Sequence, residues 1–180
     1  MNQLSGLNAA QMHAAINGLS SKNFNKFAVR ALNGVARKAH TKSGRITSRR
    51  MGIKVGAAKN EIKVKKANQS KHESEIVATF RPLSLKRFAP RQTKKGVTAK
   101  AWGRRKLYRG AFINKTKMHG HVFRRSTKKS LPVRRLWGPD VPRTLASQSV
   151  QKYVLRHARR DMERSVRREY RRIEYEIKTA

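Results

Sequence analysis

His72, Glu73 and Glu75 lie within four residues of one another. Two carboxylates beside an imidazole can hold a divalent ion for phosphodiester cleavage. On a strand, Glu73 and Glu75 share a face. Lys71 adjoins them, however, and the simpler reading is a pair of strand-entry surface acids neutralised by that lysine and its neighbours. His119 and His121 also point one way on a strand. Zinc needs further ligands, and neither a cysteine nor a nearby acid supplies them. A basic loop with two polar turn histidines accounts for them better. His13, His40 and His157 read as helix-surface residues. No P-loop, HExxH or EF-hand pattern occurs. The expectation is a chain that is not an enzyme, with no catalytic residue, no metal site and no cofactor.

The dominant signal is charge. Of 180 residues, 45 are Lys or Arg and nine are Asp or Glu, a formal net charge of +36. No carboxylate precedes Glu61, and none falls between Ile76 and Pro139. Self-repulsion on this scale opposes compaction unless a polyanion or an acidic protein surface offsets it. Residues 76–139 form the electropositive centre, while the last 41 residues mix eleven basic with six acidic side chains. There is no cysteine, hence no disulfide and no thiolate metal site. No apolar run approaches the length of a membrane span. The N-terminal MNQLSGLNAAQMHAAINGL does not have the pattern of a signal peptide.

The elements that must carry this charge follow from periodicity. Asn8 opens a short helical pattern, with Gln11 three residues on and Gly18 as its stop. Phe24, Phe27, Ala28, Ala31, Leu32, Val35 and Ala39 form an apolar stripe that predicts a helix over 22–41. Residues 42–60 are basic and punctuated by glycine, which allows one or two short helices. From Ser74 the period falls to two, with Pro82 closing a strand. A basic loop at 87–96 follows, then strands at 97–102, 107–113, 121–125 and 131–137. Gly138-Pro139 breaks the chain. Beyond it Val154, Ala158, Met162, Val166, Tyr170, Ile173 and Ile177 recur at helical steps, predicting one helix from Val141 to Lys178. At about 55 Å it exceeds a small domain, so part of it should dock on a second chain or project. Arg156, Arg160, Arg164, Arg168 and Arg172 stack as like charges along it, and something negative should face them. The fold class is α+β: N-terminal helices, a central antiparallel sheet of about four strands, and a long C-terminal helix. The organisation is a helical extension over 1–21, an α+β core over 22–140 and the terminal helix over 141–180.

The residues most suited to phosphate or another polyanion ring the turns of that sheet: Lys86, Arg87, Arg91, Lys94, Lys95, Lys100, Arg104, Arg105, Lys106, Arg109, Arg124 and Arg125. Such contacts position a nucleic acid without reading its sequence. Phe88, Trp102 and Tyr108 interleave with them and either stack on bases or belong to the core. Val154, Ala158, Met162, Val166, Tyr170 and Ile173 are the candidates for a helix between subunits.

Five phrases in fixed order resemble the minor tail protein Z family of lambda-like phages and prophages, also called tail completion proteins. They are RALNGVARKAHTKSGR at 30–45, RPLSLKRFAPRQTKKGVTAKAWG at 81–103, GAFI at 110–113, GHVFRR at 120–125 and LPVRRLWGPDVPRTL at 131–145. The resemblance implies a structural virion protein at the head-proximal end of a long tail, assembled in the host cytoplasm. It also implies a homo-oligomeric ring, sixfold to match such a tail. Its neighbours would be tail terminator, tail tube or tape-measure proteins. Genome DNA would be contacted without sequence preference, and no membrane is involved. The rival readings are a sequence-nonspecific nucleic-acid-binding protein of a ribosomal or packaging type, and a nuclease built on His72, Glu73 and Glu75.

Overall fold

The computed structural model describes residue 17, residues 21–114 and residues 119–178, and every structural statement below concerns these. The expected helix from Asn8 to Gly18 lies outside them apart from Asn17, which is helical. His13 lies outside them as well.

Helix α1 spans Ser21–Met51, ten residues beyond its expected end at 41. Its first half follows the apolar stripe, with Phe27, Ala31, Val35, Ala36 and Ala39 buried. Its second half overrides propensity. Ser43, Thr47 and Met51, at steps of four, are all buried, so packing rather than composition holds this segment helical. Gly44 is no breaker here: a Cβ would stand 2.4 Å from Lys59 Cγ, so the site needs a bare backbone. The stop is Gly52, at φ +73°, where any Cβ would meet the Lys100 carbonyl at 2.7 Å. Helix α2 (Val55–Asn60) follows. His40, expected on the surface, is half-buried, and its Nε2 lies 3.0 Å from the Ile62 carbonyl and 3.3 Å from that of Lys59.

The central region is antiparallel as expected but divided more finely, into ten short strands. β1 (Ile62–Lys65) pairs with β2 (Glu75–Ala78). β3 (Pro82–Ser84) pairs antiparallel with β10 (Trp137–Asp140). Pro82 therefore opens a strand, and Gly138-Pro139 sits inside one, at a register irregularity that tolerates the missing donor. A three-stranded sheet contains β4 (Arg91–Thr93), β5 (Gly96–Ala99) and β6 (Lys106–Arg109). Another contains β7 (Ala111–Asn114), β8 (His121–Arg125) and β9 (Val133–Arg135). The single strand expected over 107–113 is cut at Gly110, whose φ is +67°.

The expected unbroken helix from Val141 is two helices. Asp140 caps α3 (Val141–Ala146) by accepting from the Arg143 N–H at 2.7 Å. Ser147 then turns extended (ψ 131°) and its hydroxyl donates to the Thr144 carbonyl at 2.8 Å. Helix α4 runs Gln148–Lys178, about 46 Å rather than 55.

The described residues form two compact units, one from those within 1–39, 64–76 and 155–180, the other from those within 40–63 and 77–154. In the first, Asn33 makes an amide-to-backbone pair with Ala67, donating to its carbonyl at 3.0 Å and accepting its N–H at 2.9 Å. Ser165 donates to the Ala31 carbonyl at 3.1 Å. The most buried positions of α4 here are Asp161, Ser165 and Glu169, all polar. The apolar row Val154, Ala158, Met162, Val166, Tyr170 is only half-buried, and the side chain of Ile173 is not described. In the second unit, Met51, Ala58, Leu85, Phe88, Val97, Val122 and Val141 form the core.

Candidate functional site

The second unit contains two acidic residues in its sequence, Glu61 and Asp140, against nine in the whole chain. Both carboxylates are engaged. Glu61 accepts from Arg87 at 3.3 Å. Asp140 is the cap of α3. All twelve candidate cations belong to this unit and all are exposed.

The hairpin of β4 and β5 turns through Lys94 and Lys95 at its tip. Register sets Arg91 against Thr98 and Leu107, and Thr93 against Gly96 and Arg109. Alternation therefore places Arg91 and Arg109 on one exposed face, opposite the buried Val97 and Ala99. Arg105 lies across this face, donating to Thr98 Oγ1 at 3.1 Å and the Ala89 carbonyl at 3.3 Å. Lys100, Arg104 and Lys106 flank the other end of the same strands. On the neighbouring sheet Arg124 stands directly opposite Arg134, a like-charge pair that costs stability when nothing negative lies between. Arg125 sits 5.0 Å over the Phe112 ring.

Lys86 and Arg87, like Arg105, are tied into the protein itself. Lys86 donates to the His119 carbonyl at 2.5 Å and Arg87 holds Glu61, so both fasten the fold. Of the interleaved aromatics, Phe88 is core and Tyr108 is half-buried. Trp102 is 53% exposed and has φ +59°, a conformation a bulky residue seldom adopts. Arg50, Arg143, Thr144 and Ser147 share its cleft of about 360 Å³.

The acidic triplet does not assemble. Glu73 pairs with Lys71 at 3.1 Å, and Glu75 with Lys65 at 2.9 Å. The Lys65 hydrogen bond and charge lower the Glu75 pKa, and Glu73 raises that of Lys71. His72 meets Phe24 edge-on at 6.1 Å. Among the described residues no group of three or more His, Asp or Glu can hold a metal ion. His119 is in the turn, at φ +51°, as expected. His121 is on β8 instead, half-buried, with Ser84 Oγ at 2.8 Å from Nδ1 and Arg135 Nη2 against its ring nitrogens. Burial lowers its pKa, with Arg135, Lys86 and His119 adding to the effect.

Sequence reasoning missed the grouping of His121, Arg135 and Trp137 with Arg81 around one cleft. The two-residue step from Arg135 to Trp137 was a usable signal, since it sets both on one side of an extended segment.

Among the described residues no helix is long and apolar enough to cross a membrane. The family model described as prophage minor tail protein Z matches residues 4–175. No curated protein and no solved structure matches the chain.

Proposed function

The chain belongs to the prophage minor tail protein Z family, which are structural tail-completion proteins of the virion and not enzymes, and from that premise we propose a head-proximal ring. In this reading copies of the chain close into a homo-oligomeric ring, sixfold in a long tail, which makes the tail competent for head joining. The ring also holds genome DNA in the channel without reading its sequence. Tail terminator, tail tube or tape-measure proteins are its neighbours.

One observation supports this most. The second unit presents exposed cations while both of its carboxylates are already engaged. Within this unit no carboxylate is left for Arg91, Arg109, Arg124 and the Lys94–Lys95 tip, and an external anion is the counter-charge of this reading. The half-buried apolar row on α4, Val154, Ala158, Met162, Val166 and Tyr170, together with Ile173, is the surface proposed for contact between copies.

The test is a salt titration of duplex binding beside a mass measurement of the purified chain. Binding is expected to be indifferent to sequence and to weaken steeply with salt. Arg109→Gln and Arg124→Gln should each reduce the log–log slope by about 0.9. A chain that stays monomeric with tail partners present and ignores DNA at low salt overturns the proposal. The exposed Trp102 beside Arg50 and Arg143 favours a second reading, a free-standing nucleic-acid-binding protein. That reading requires tight binding by the monomer and no association with tail proteins.

A further inference from the structure

A second recess of the β-rich unit has a volume of about 490 Å³ and is formed around β3 and β10. Its chemistry differs from that of the exposed cationic face. Pro82 and Trp137 give it apolar surface, and Trp137 is 49% exposed. Arg81, Arg87 and Arg135 bring three guanidinium groups. Only one carboxylate lines it, Glu61, and that already serves Arg87.

Arg135 is the group left unbalanced. Its guanidinium lies 4.7 Å over the Trp137 ring, and its Nη2 lies against the nitrogens of His121. Burial, and then the neighbouring cations, lower the His121 pKa, which favours the neutral ring beside Arg135. Arg135 Nε is buried with no partner, an unmet donor on a charged group. The guanidinium is held between an indole and an imidazole with no carboxylate paired to it, so its charge is available to an anion entering the cleft. Arg81 is exposed at the mouth.

We propose that this cleft docks an acidic peptide segment of a partner protein, with a carboxylate taken by Arg135 and Arg81 and an adjoining apolar side chain laid on Trp137 and Pro82. A duplex fits it less well. The recess has room for one or two side chains, its apolar surface gains nothing from phosphate, and Glu61 repels a second anionic group. A peptide offers the carboxylate and the apolar group together. The inference deepens the assembly reading and rests on it for the existence of a protein partner.

The chain has two tryptophans, so Trp102→Phe leaves Trp137 as the single indole reporter. The full chain carrying that change is titrated with acetyl-Glu-Leu-Asp-Leu-Glu, with the same peptide bearing Gln and Asn, and with a duplex oligonucleotide. The acidic peptide should shift Trp137 emission and saturate, while the neutral peptide and the duplex leave it unchanged. Arg135→Gln and Arg81→Gln should each weaken the peptide about tenfold or more, the loss of a charge-assisted hydrogen bond. Lys129→Gln, an exposed cation that does not line the cleft, should not. Because Arg81 is exposed, its variant keeps the test decisive if Arg135→Gln fails to fold. The proposal is overturned by any of three results: no saturable shift, equal weakening by Lys129→Gln, or a duplex-induced shift that Arg135→Gln removes. Native mass measurement on the same samples separates the two ideas. A ring without peptide binding overturns the cleft alone, and peptide binding without ring or tail association overturns the assembly reading alone.

Discussion

The two units dispose of charge in opposite ways. In the helical unit seven acids accompany the cations, and two of them, Asp161 and Glu169, are buried on α4. Lys38 reaches Asp161 at 3.6 Å and Arg168 reaches Glu169 at 3.1 Å. Lys65 and Lys71 are paired with Glu75 and Glu73. This unit pairs some of its cations with its own acids, although cations still outnumber acids in it. In the β-rich unit two acids face many more cations, and both are tied to one ion pair and one helix cap. Its exposed cations have no further carboxylate within the unit. The contrast teaches that a net charge of +36 is not one property of the chain. It divides between a helical part that pairs some of its cations within itself and a β-rich part whose two carboxylates leave almost all of its cations without an acidic partner in the unit.

The largest expected effect tests whether the β-rich unit has a core of its own. Phe88 is fully buried, and Gly138 admits its ring so closely that a Cβ there would stand 2.4 Å from Phe88 Cε2. Phe88→Ala should cost about 3–5 kcal/mol. Hydrogen exchange should then accelerate at amides of β3, β5 and β8 well before those of α1 between Phe27 and Ala39. Uniform acceleration would break the comparison.

A smaller effect probes the helical unit. Asn33→Ala removes two hydrogen bonds and leaves the Ala67 N–H and carbonyl without their partner, at a cost of about 1–3 kcal/mol. The denaturation midpoint should fall, whereas the salt slope of duplex binding should not move. A changed slope would mean that the charge surface is not confined to the other unit.

The smallest effect is a pH response located at His121. Its pKa lies below the ordinary 6.5, first because of burial and then because of the surrounding cations. The unfolded chain therefore binds the proton more readily than the folded one. The stability this contributes is complete above pH 6.5 and is lost as pH falls through the lower folded value. His121→Asn should flatten that acid-side decline in a thermal melt series. An unchanged decline would assign the response to another group.

Parts of this were readable in advance. The stripe from Phe27 to Ala39 gave helix α1 because residues at helical spacing need a common apolar contact. The neutralisation of Glu73 by the adjoining Lys71 was readable from their spacing, and the ion pair at 3.1 Å agrees with it. The continuation through Gly44 to Met51 was not legible, because a glycine chosen to admit Lys59 looks the same in sequence as one chosen to end a helix. The break at Ser147 was equally hidden. Its cause is a backbone turn to ψ 131°, secured by a hydroxyl bond that many serines could make.

Taken alone, the sequence determined the family, the α+β plan and the electropositive centre, because composition and period survive without coordinates. Tertiary structure decided where the charge is left unmatched. Asp161, Ser165 and Glu169 are polar yet lie buried, and Arg135 meets His121 only once β8 and β9 are paired. Burial and cross-strand register are properties of residues distant in sequence, and no local pattern encodes them.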